Sequence, residues 1–313
     1  MRVALIGLGN IGYKYDLDSQ SNHFLTHAKS LVKHPDFELH WAIDIDEIER
    51  QKFSRAYNVP VFAKISDILN PEDVDVVVVA TPPTSRKLIA EEICDMLNPR
   101  AVLMEKPLAD SVENGIKVIR TFREKGVPVY FNFMRRASES VWEIKKTLIE
   151  YANDVSMPSI SGLVWYGKNI ESNAPHFLDL LILWFGNPLR ASRIDSFHIG
   201  PDYAFQVTFE WGDIIFLPHP GKYLHTEIEI FSQDFAIRMG AEDGGFNFLK
   251  PRSSSLYNGQ HILQGASQEL PLNLGSLQYK VLNELLKGIN KQFTKLTDAH
   301  SALENLKIIQ SVR

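Results

Sequence analysis

A glycine-rich motif follows the first apolar run of the sequence. Residues 3–6 are aliphatic and lead directly into GLGNIG at residues 7–12, a GxGxxG pattern. In this pattern the first glycine permits a tight turn, the second lets backbone amides approach a pyrophosphate, and the third allows close helix packing. The alternative is an ordinary tight turn with an exposed helix cap. Because strand-like sequence precedes the motif and helical sequence follows it, we predict a dinucleotide site formed by Gly7, Gly9, Asn10, Ile11 and Gly12.

An acidic residue ends the second apolar run. Asp44 follows residues 39–43 and is placed to accept hydrogen bonds from both ribose hydroxyls of an adenosine, whereas it would repel a 2′-phosphate. The sequence therefore favours NAD over NADP. Asp44 stands further from Gly12 than the roughly 20 residues of the usual fingerprint. Residues 13–22 are polar and aromatic without helical periodicity, so they form either a loop over the cofactor or substrate pocket or a surface excursion without function.

Lys106 is the second candidate for chemistry. It comes directly after the apolar run at residues 101–104, between Glu105 and Pro107. Ligands of open α/β sheets bind at the carboxyl ends of the strands, and a partly buried ammonium beside an oxidised nicotinamide loses its proton readily. The alternative is a solvated surface charge. Its position after a buried strand favours a functional lysine.

The first 130 residues alternate apolar runs with helical segments. Continuous apolar runs indicate strands buried on both faces of a parallel sheet. The predicted strands are 3–6, 39–43, 74–79, 101–104 and 127–131, and the predicted helices are 26–33, 45–57, 84–97 and 111–125. This order predicts an α/β fold with a Rossmann doubly wound parallel sheet, in a first domain of residues 1–133 that binds NAD.

The pattern changes after residue 133. A helix at 138–151 leads into six predicted strands separated by Gly, Pro and Asp turns, with Gly212-Asp213 as one hairpin turn. A helix begins near Pro175, and two more close the chain at 277–293 and 298–312. We therefore predict a second, α+β domain of residues 134–313 with an open, mostly antiparallel sheet that binds substrate and mediates oligomerisation.

Composition excludes several classes of protein. The formal net charge of −5 lacks the basic excess that binding to nucleic acid requires. The single cysteine, Cys94, cannot form an intramolecular disulfide, and strand-like sequence begins right after Arg2, so we expect a cytoplasmic protein. The apolar stretch 177–185 is too short to span a membrane. His23 and His27 lack an evident acidic third ligand, so we expect no metal site.

Four landmarks in order along the chain resemble the glucose–fructose oxidoreductase / inositol dehydrogenase / MocA (Gfo/Idh/MocA) family. They are the GLGNIG motif, ATPP at 80–83, EKP at 105–107, and His176-x-x-Asp179 at the start of a helix. The resemblance implies oxidation or reduction at a carbinol carbon of a sugar, polyol or related compound. It also implies that Thr81, Pro82, Glu105 and Lys106 border the cofactor.

The resemblance assigns further roles near the substrate. A hydride leaving a carbinol carbon requires removal of the hydroxyl proton, which suits Lys106 and His176 as catalytic groups. Asp179 is expected to bind substrate, with orientation of His176 and capping of its helix as the alternatives. Asn173 and Arg135 are expected to bind substrate, the latter through a carboxylate or phosphate.

The chain also departs from the family pattern. Ser172 and Ala174 replace the aspartate and glycine that usually precede the histidine, which puts the substrate contacts in doubt. Arg86 replaces a histidine often found after the Thr-Pro pair, and we expect this change at the pocket rim.

Two functions are compatible with these residues. The first is an NAD-dependent dehydrogenase or reductase acting on a small sugar, nucleotide sugar or polyol, with surface-polysaccharide synthesis as one setting. The second is a non-catalytic regulatory protein of the same fold that binds NAD and a sugar. The presence of both Lys106 and His176 favours the enzyme. We expect a homodimer or homotetramer, with the apolar alternation Phe205, Val207, Phe209 and Trp211 as the associating strand face.

Overall fold

The computed structural model describes residues 1–17, 22–71, 73–154, 159–223, 225–240, 245–263 and 268–313. The chain forms two compact units. The first comprises Met1–Ala137 and Gly275–Leu306, and the second comprises Ser138–Leu274 and Lys307–Arg313. The chain passes from the first unit to the second after Ala137, close to the boundary predicted after residue 133. The division differs from the predicted one at the carboxyl end, because residues 275–306 belong to the first unit.

A six-stranded parallel sheet forms the centre of the first unit, with the strand order β3-β2-β1-β4-β5-β6. The strands are β1 (Arg2–Ile6), β2 (Glu38–Ile43), β3 (Val61–Phe62), β4 (Val76–Val79), β5 (Ala101–Glu105) and β6 (Val129–Asn132). The helices between them are α1 (His27–Lys33), α2 (Glu47–Tyr57), α3 (Arg86–Met96) and α4 (Val112–Lys125). This is the predicted doubly wound arrangement; the two-residue β3 escaped the sequence analysis because it is too short to form an apolar run.

The second unit contains a mixed, mostly antiparallel sheet of eight strands in the order β16-β13-β12-β11-β7-β10-β9-β8, in which β7 and β10 pair in parallel. Its elements are α5 (Glu139–Asp154), β7 (Ile160–Tyr166), α6 (Ala174–Phe185), β8 (Arg190–Ile199), β9 (Asp202–Phe209), β10 (Gly212–Pro218), β11 (Glu227–Phe231), β12 (Ala236–Met239), β13 (Phe246–Leu249) and β16 (Gln268–Leu270). A separate hairpin is formed by β14 (Pro251–Ser253) and β15 (His261–Leu263). Two helices follow, α7 (Leu274–Ile289) and α8 (Ala299–Ser311). The predicted open, mostly antiparallel sheet is confirmed.

The parallel sheet has a helix layer on each face, because its strands bury alternate residues in opposite directions. Val3 and Leu5 pack in a cluster with Ala28 of α1 and Phe53 of α2. Residues of the opposite face pack with α3 and α4 through Ile93, Val118 and Phe122. The carboxyl ends of the strands, and the loops that follow them, are thereby held by two layers of buried apolar contacts.

The two C-terminal helices belong largely to this packing. Val281 and Leu285 of α7 lie in the cluster that contains α1, and Ala302 and Leu306 of α8 lie in the cluster that contains α3 and α4. Sequence reasoning placed both helices in the second domain because they follow it in the chain. An amphipathic pattern shows that a helix has a buried face, but it does not show which sheet that face covers.

In the second unit, α5 and α6 lie on one face of the sheet. Trp184 of α6 donates its indole N–H to Val141 O of α5 at 2.9 Å, and Phe185 packs edge-on against Phe209 of β9. Phe205, Val207 and Phe209 are accordingly at most 1% exposed. Our expectation that these residues form an associating surface is therefore wrong, because their apolar alternation faces the interior of the unit.

The turn between β9 and β10 also lies elsewhere than predicted. Gly212 pairs with Phe209, so the turn is at Glu210 and Trp211, and Gly212 is the first residue of β10. A Cβ at Gly212 would lie 1.9 Å from Ile160 O, which explains the glycine by close backbone approach rather than by the turn. In the part of the chain that the structure describes, no helix is long and apolar enough to cross a bilayer.

Candidate active site

The glycine motif forms a tight loop directly after β1, beside the ends of β2 and β4. Gly7 has a φ of +101°, and a Cβ there would lie 2.7 Å from the carbonyl carbon of Ala80, which follows β4. A Cβ at Gly12 would lie 2.4 Å from Gly7 O. In contrast, a Cβ at Gly9 would meet no atom within 4 Å. Gly7 and Gly12 are therefore required by the protein itself, whereas Gly9 borders open space.

The hydrogen bonds of this loop leave its amides available. Ile11 O and Gly12 O accept the first N–H groups of α1, from His27 at 3.0 Å and Ala28 at 2.9 Å. Within the described residues, no hydrogen bond engages the N–H groups of Asn10, Ile11 or Gly12. Amides left in this way form a cradle for an anion, and this observation fits the pyrophosphate of a dinucleotide.

Asp44 lies directly beside the loop. Its Oδ2 accepts from Leu8 N at 2.7 Å and its Oδ1 from Asp46 N at 2.9 Å. Arg50 Nη1 donates to Asp44 O and Ile45 O, both at 2.9 Å, and so fixes the backbone that carries the carboxylate. Each carboxylate oxygen retains a lone pair for a further donor. The geometry suits a ribose diol and opposes a phosphate.

The start of the inserted segment is packed into the first unit. Tyr13 is fully buried, and its hydroxyl donates to Glu49 Oε2 at 2.6 Å. Asp16 accepts from Thr26 Oγ1 at 2.7 Å and from Leu25 N at 3.0 Å. Hydrogen bonds from Tyr13 and Lys14 lower the pKa of Glu49 to about 2. Residues 13–17 thus brace α1 and α2 against each other, and residues 18–21, part of the predicted loop, lie outside the described residues.

Glu105, the last residue of β5, stands in a buried network of hydrogen bonds. His27 Nε2 lies 2.8 Å and Asn132 Nδ2 lies 2.6 Å from Glu105 Oε1. The side chain of Gln278 in α7 contacts both partners of Glu105. Its Nε2 lies 2.6 Å from His27 Nδ1, and its Oε1 accepts from Asn132 Nδ2 at 3.1 Å. These roles are mutually consistent for an imidazole that donates from Nε2 to the carboxylate.

The environment of Glu105 favours its ionised form. Burial alone raises its pKa, but the hydrogen bonds from His27 and Asn132 and the charge of Lys106 outweigh this effect and hold the pKa below its usual range. The residue that precedes Lys106 therefore carries a carboxylate that hydrogen bonds hold in place. Lys106 itself is partly exposed, and its peptide bond to Pro107 is cis.

Arg86 occupies a different place from the one we expected. Its side chain is 2% exposed, so it does not lie at a pocket rim. It donates to three carbonyl oxygens: Thr81 O at 2.9 Å, Lys106 O at 3.2 Å, and Glu105 O. Burial lowers its pKa to about 10, which leaves it charged at neutral pH, and the charge of Glu105 acts in the opposite direction.

The residues predicted to act on substrate lie at the start of α6 and before α5. Asn173 precedes α6, is 9% exposed, and has an Oδ1 without a hydrogen-bond partner among the described residues. His176 is partly exposed, whereas Asp179, one turn later, is fully buried. Arg135 lies in a short 3-10 turn, Met134–Ala137, and burial lowers its pKa to about 10.

A cavity of about 410 Å³ also lies in the second unit, at the ends of β7 and β10. Its lining includes Tyr166, Lys168, Asn169, Asp202 and His219. Burial and the nearby His225 lower the pKa of His219, whose Nδ1 accepts from Gly221 N at 3.0 Å. The cavity therefore presents polar groups of both charges, from Lys168 and Asp202, and the sequence analysis did not find it.

The structure thus brings one group of predicted residues together within the first unit. At the carboxyl edge of the parallel sheet, Glu105 ends β5, and the other residues follow strands: the glycine loop, Asp44, Thr81, Pro82 and Lys106. His176, Asp179 and Asn173 belong to the second unit. Sequence reasoning missed Gln278 and Asn132, although a glutamine within the apolar face of α7 is a signal for a buried polar contact. Among the described residues, no group of three or more His, Cys, Asp or Glu side chains is arranged to hold a metal.

Comparisons with known proteins agree with this geometry. Two curated relatives are each named inositol 2-dehydrogenase. The protein of Rubrobacter xylanophilus is 32% identical over 43% of this chain and 35% of its own length, and that of Mycolicibacterium smegmatis is 36% identical over 51% of this chain and 43% of its own length. The chain therefore matches less than half the length of either relative.

A solved structure extends the likeness to the whole chain. The WlbA dehydrogenase from Bordetella pertussis, in complex with NADH and UDP-GlcNAcA, superposes with a TM-score of 0.71 over 99% of this chain and 94% of its own, at 18% identity. At that identity the likeness concerns the fold. Residues 1–133 match the family described as GFO_IDH_MocA, oxidoreductase family, NAD-binding Rossmann fold. With these matches and the cradle at its first strand, residues 1–133 of the chain are similar to the NAD-binding Rossmann part of the Gfo/Idh/MocA oxidoreductases.

Proposed function

We propose that this protein is an NAD-dependent oxidoreductase that acts on a carbinol carbon of a sugar, nucleotide sugar or polyol. The observation that carries the proposal is the carboxyl edge of the parallel sheet, where the open cradle at Gly9, the carboxylate of Asp44 and Lys106 lie in one unit. NADP is the less favoured cofactor, because a 2′-phosphate would meet the negative charge of Asp44.

The residues fit the cofactor as follows. The amides of residues 10–12 bind the pyrophosphate, Asp44 binds the ribose hydroxyls, and Thr81, Pro82 and Glu105 border the dinucleotide. The Thr81 Oγ1 is buried and has no hydrogen-bond partner among the described residues, so it is available to a ligand. When bound, the nicotinamide accepts or supplies the hydride.

Lys106 and His176 carry the proton in this proposal. Lys106 polarises the reacting oxygen and takes up or returns its proton, while the carboxylate of Glu105 in the adjoining residue favours the ammonium form. His176 acts as an acid/base. Because Asp179 is fully buried, we assign it to orienting His176 through the shared helix face rather than to direct contact with substrate.

The substrate class rests on several polar groups. The buried Oδ1 of Asn173 accepts from a sugar hydroxyl, Arg135 offers a planar fork to a carboxylate or phosphate, and Lys168 and His219 offer donors in the cavity of the second unit. The relatives named inositol 2-dehydrogenase and the structure with UDP-GlcNAcA support a polyol or a nucleotide sugar. A nucleotide sugar for surface-polysaccharide synthesis is the more specific form of this proposal.

The test compares binding with turnover. NADH and NADPH are titrated against the purified protein by fluorescence, and absorbance at the nicotinamide band is then followed with panels of polyols, sugars and nucleotide sugars. We expect tighter binding of NADH and turnover of at least one class. Binding of NADH and of a sugar without turnover would instead support the alternative, a non-catalytic regulatory protein of the same fold.

We also propose a homodimer or homotetramer in the cytoplasm. The sheet face opposite α5 and α6 carries partly exposed apolar residues, Leu163, Trp165, Ile215, Leu217 and Phe231. Covering such a face removes apolar surface from water. Light scattering is expected to give an oligomer for the native protein and a smaller species for Trp165→Glu; an unchanged mass would contradict the assignment of this face.

A further inference from the structure

Arg86 connects the two loops that carry the candidate active site of the first unit. Through Nε and Nη2 it donates to Thr81 O, at 3.2 and 2.9 Å, after β4. Through Nη1 and Nη2 it donates to Glu105 O and to Lys106 O, the latter at 3.2 Å, after β5. One planar guanidinium therefore fixes the direction of three carbonyl groups, one after β4 and two at the end of β5.

The cation is costly where it stands. Arg86 is 2% exposed, and burial is the main influence on its pKa, which remains near 10. Taking a charge out of water is unfavourable unless the charge is paired and hydrogen-bonded. A neutral side chain with N–H groups would satisfy carbonyl oxygens at lower cost. The permanent charge is therefore the property that needs an explanation.

The charges around Lys106 supply that explanation. Glu105, the preceding residue, carries a carboxylate whose pKa is influenced by the charge of Lys106, and this carboxylate is bound by His27 and Asn132. Alone, this carboxylate would hold Lys106 firmly as an ammonium, since an opposite charge favours the charged form. Arg86 binds the carbonyl oxygen of Lys106 and interacts with Glu105, so its positive charge opposes that effect.

We propose that Arg86 is a positioning residue for Lys106, which fixes the Glu105–Lys106 main chain and offsets the carboxylate of Glu105 so that Lys106 can exchange its proton. The inference rests on the proposed function only in its kinetic part. The titration of Lys106 is independent of any substrate. Among the described residues, the charge of Lys106 acts on Glu105, and Glu105 in turn interacts with His27 and Arg86.

The first experiment follows Lys106 directly. Lysines are reductively methylated with ¹³C, and the Lys106 signal is assigned by its loss in Lys106→Arg. In Arg86→Met, we expect the titration midpoint of Lys106 to rise by about one pH unit, because a neighbouring positive charge has been removed. In Arg86→Lys, which keeps the charge but loses the planar fork, the midpoint should stay near the native value. Arg120→Met, at an exposed arginine of α4, is the matched control.

The second experiment separates positioning from folding. With a substrate found by the screen, we expect Arg86→Met to lower kcat by about 10- to 100-fold while the dissociation constant for NADH changes less than threefold; Arg86→Lys should be intermediate in kcat. A lower melting temperature with an unchanged Lys106 midpoint and unchanged kcat would reduce Arg86 to a structural residue and overturn the proposal. If Arg86→Met does not fold, Arg86→Gln, which keeps N–H donors but removes the charge, takes its place, and a native Lys106 midpoint with native kcat in Arg86→Gln would overturn the proposal.

Failure of the proposed function is distinguishable from failure of this inference. If the native protein does not bind NADH, the proposed function is refuted, independently of any result for Arg86. If the titration midpoint of Lys106 in Arg86→Met equals that of the native protein, the role of Arg86 is refuted, even if the enzyme is active.

Discussion

His27 Nε2 and Glu105 Oε1 lie 2.8 Å apart inside the first unit, and this contact ties the first crossover helix to the end of β5. His27 is fully buried and Glu105 is 7% exposed. The first two N–H groups of the same helix donate to Ile11 O and Gly12 O. The position of the cofactor cradle and that of Lys106 are therefore coupled through α1.

Removal of His27 should destabilise the protein strongly. In His27→Ala the Glu105 carboxylate loses a buried hydrogen bond and its partner, which typically costs about 3–5 kcal/mol. Chemical denaturation with urea measures the loss. His300→Ala, at an exposed position in α8, serves as the comparison, and equal midpoints for the two variants would contradict a structural role for the pair.

Glu105 should also contribute to acid sensitivity. Its pKa in the folded chain is lowered, so it stabilises the fold above the unfolded value of about 4.3 and this contribution is lost as the pH falls through the folded value. We expect the free energy of unfolding to fall less steeply between neutral and acidic pH in Glu105→Gln than in the native protein. Glu124→Gln, at an exposed carboxylate, should leave the slope as it is. A native slope in Glu105→Gln would show that the pKa of Glu105 is not lowered.

Two glycine substitutions should behave oppositely. In Gly12→Ala the new methyl group would meet Gly7 O at 2.4 Å, so we expect a loss of stability of at least about 2 kcal/mol. In Gly9→Ala no atom lies within 4 Å of the new group, so the melting temperature should remain native while NADH binds at least tenfold more weakly. Calorimetry and fluorescence titration measure the two effects. Native affinity for NADH in Gly9→Ala would place the pyrophosphate elsewhere.

Asp44 should set the choice between the two dinucleotides. Asp44→Asn keeps an oxygen acceptor for Leu8 N–H but removes the charge. We expect the preference for NADH over NADPH to fall by at least about tenfold, or about 1.4 kcal/mol. Asp46→Asn changes a neighbouring carboxylate that caps α2 and should leave the preference intact. Dissociation constants for both cofactors decide the question, and an unaltered ratio in Asp44→Asn would remove Asp44 from the ribose site.

Lys106→Met should separate binding from turnover. The substitution removes the group that exchanges the proton, for which a loss of about 10²- to 10⁴-fold in kcat is typical. Binding of NADH should remain within a few fold of native. Lys117→Met, at a half-exposed lysine of α4, controls for the loss of a positive charge. A turnover number near the native one in Lys106→Met would refute the assigned role.

The sequence alone determined the parts of this protein that are encoded locally. Continuous apolar runs identified β1, β2, β4, β5 and β6, and the glycine spacing identified the cradle, because both patterns follow from geometry within a few residues. It also placed the open antiparallel sheet after the parallel one. Strands of two or three residues, such as β3 and β14, leave no periodicity to detect.

Only the tertiary structure decided the relationships between residues far apart in the chain. The sequence placed Arg86 at a pocket rim, whereas in the structure its guanidinium donates to the carbonyl oxygens of Thr81, Glu105 and Lys106. Gln278 meets His27 across 251 residues of sequence, and α7 covers the first unit rather than the second. Phe205, Val207 and Phe209 alternate as an associating face would, yet all three are buried within the unit, and Phe185 of α6 packs against Phe209. Periodicity shows that a side chain is to be buried, and only packing shows what buries it.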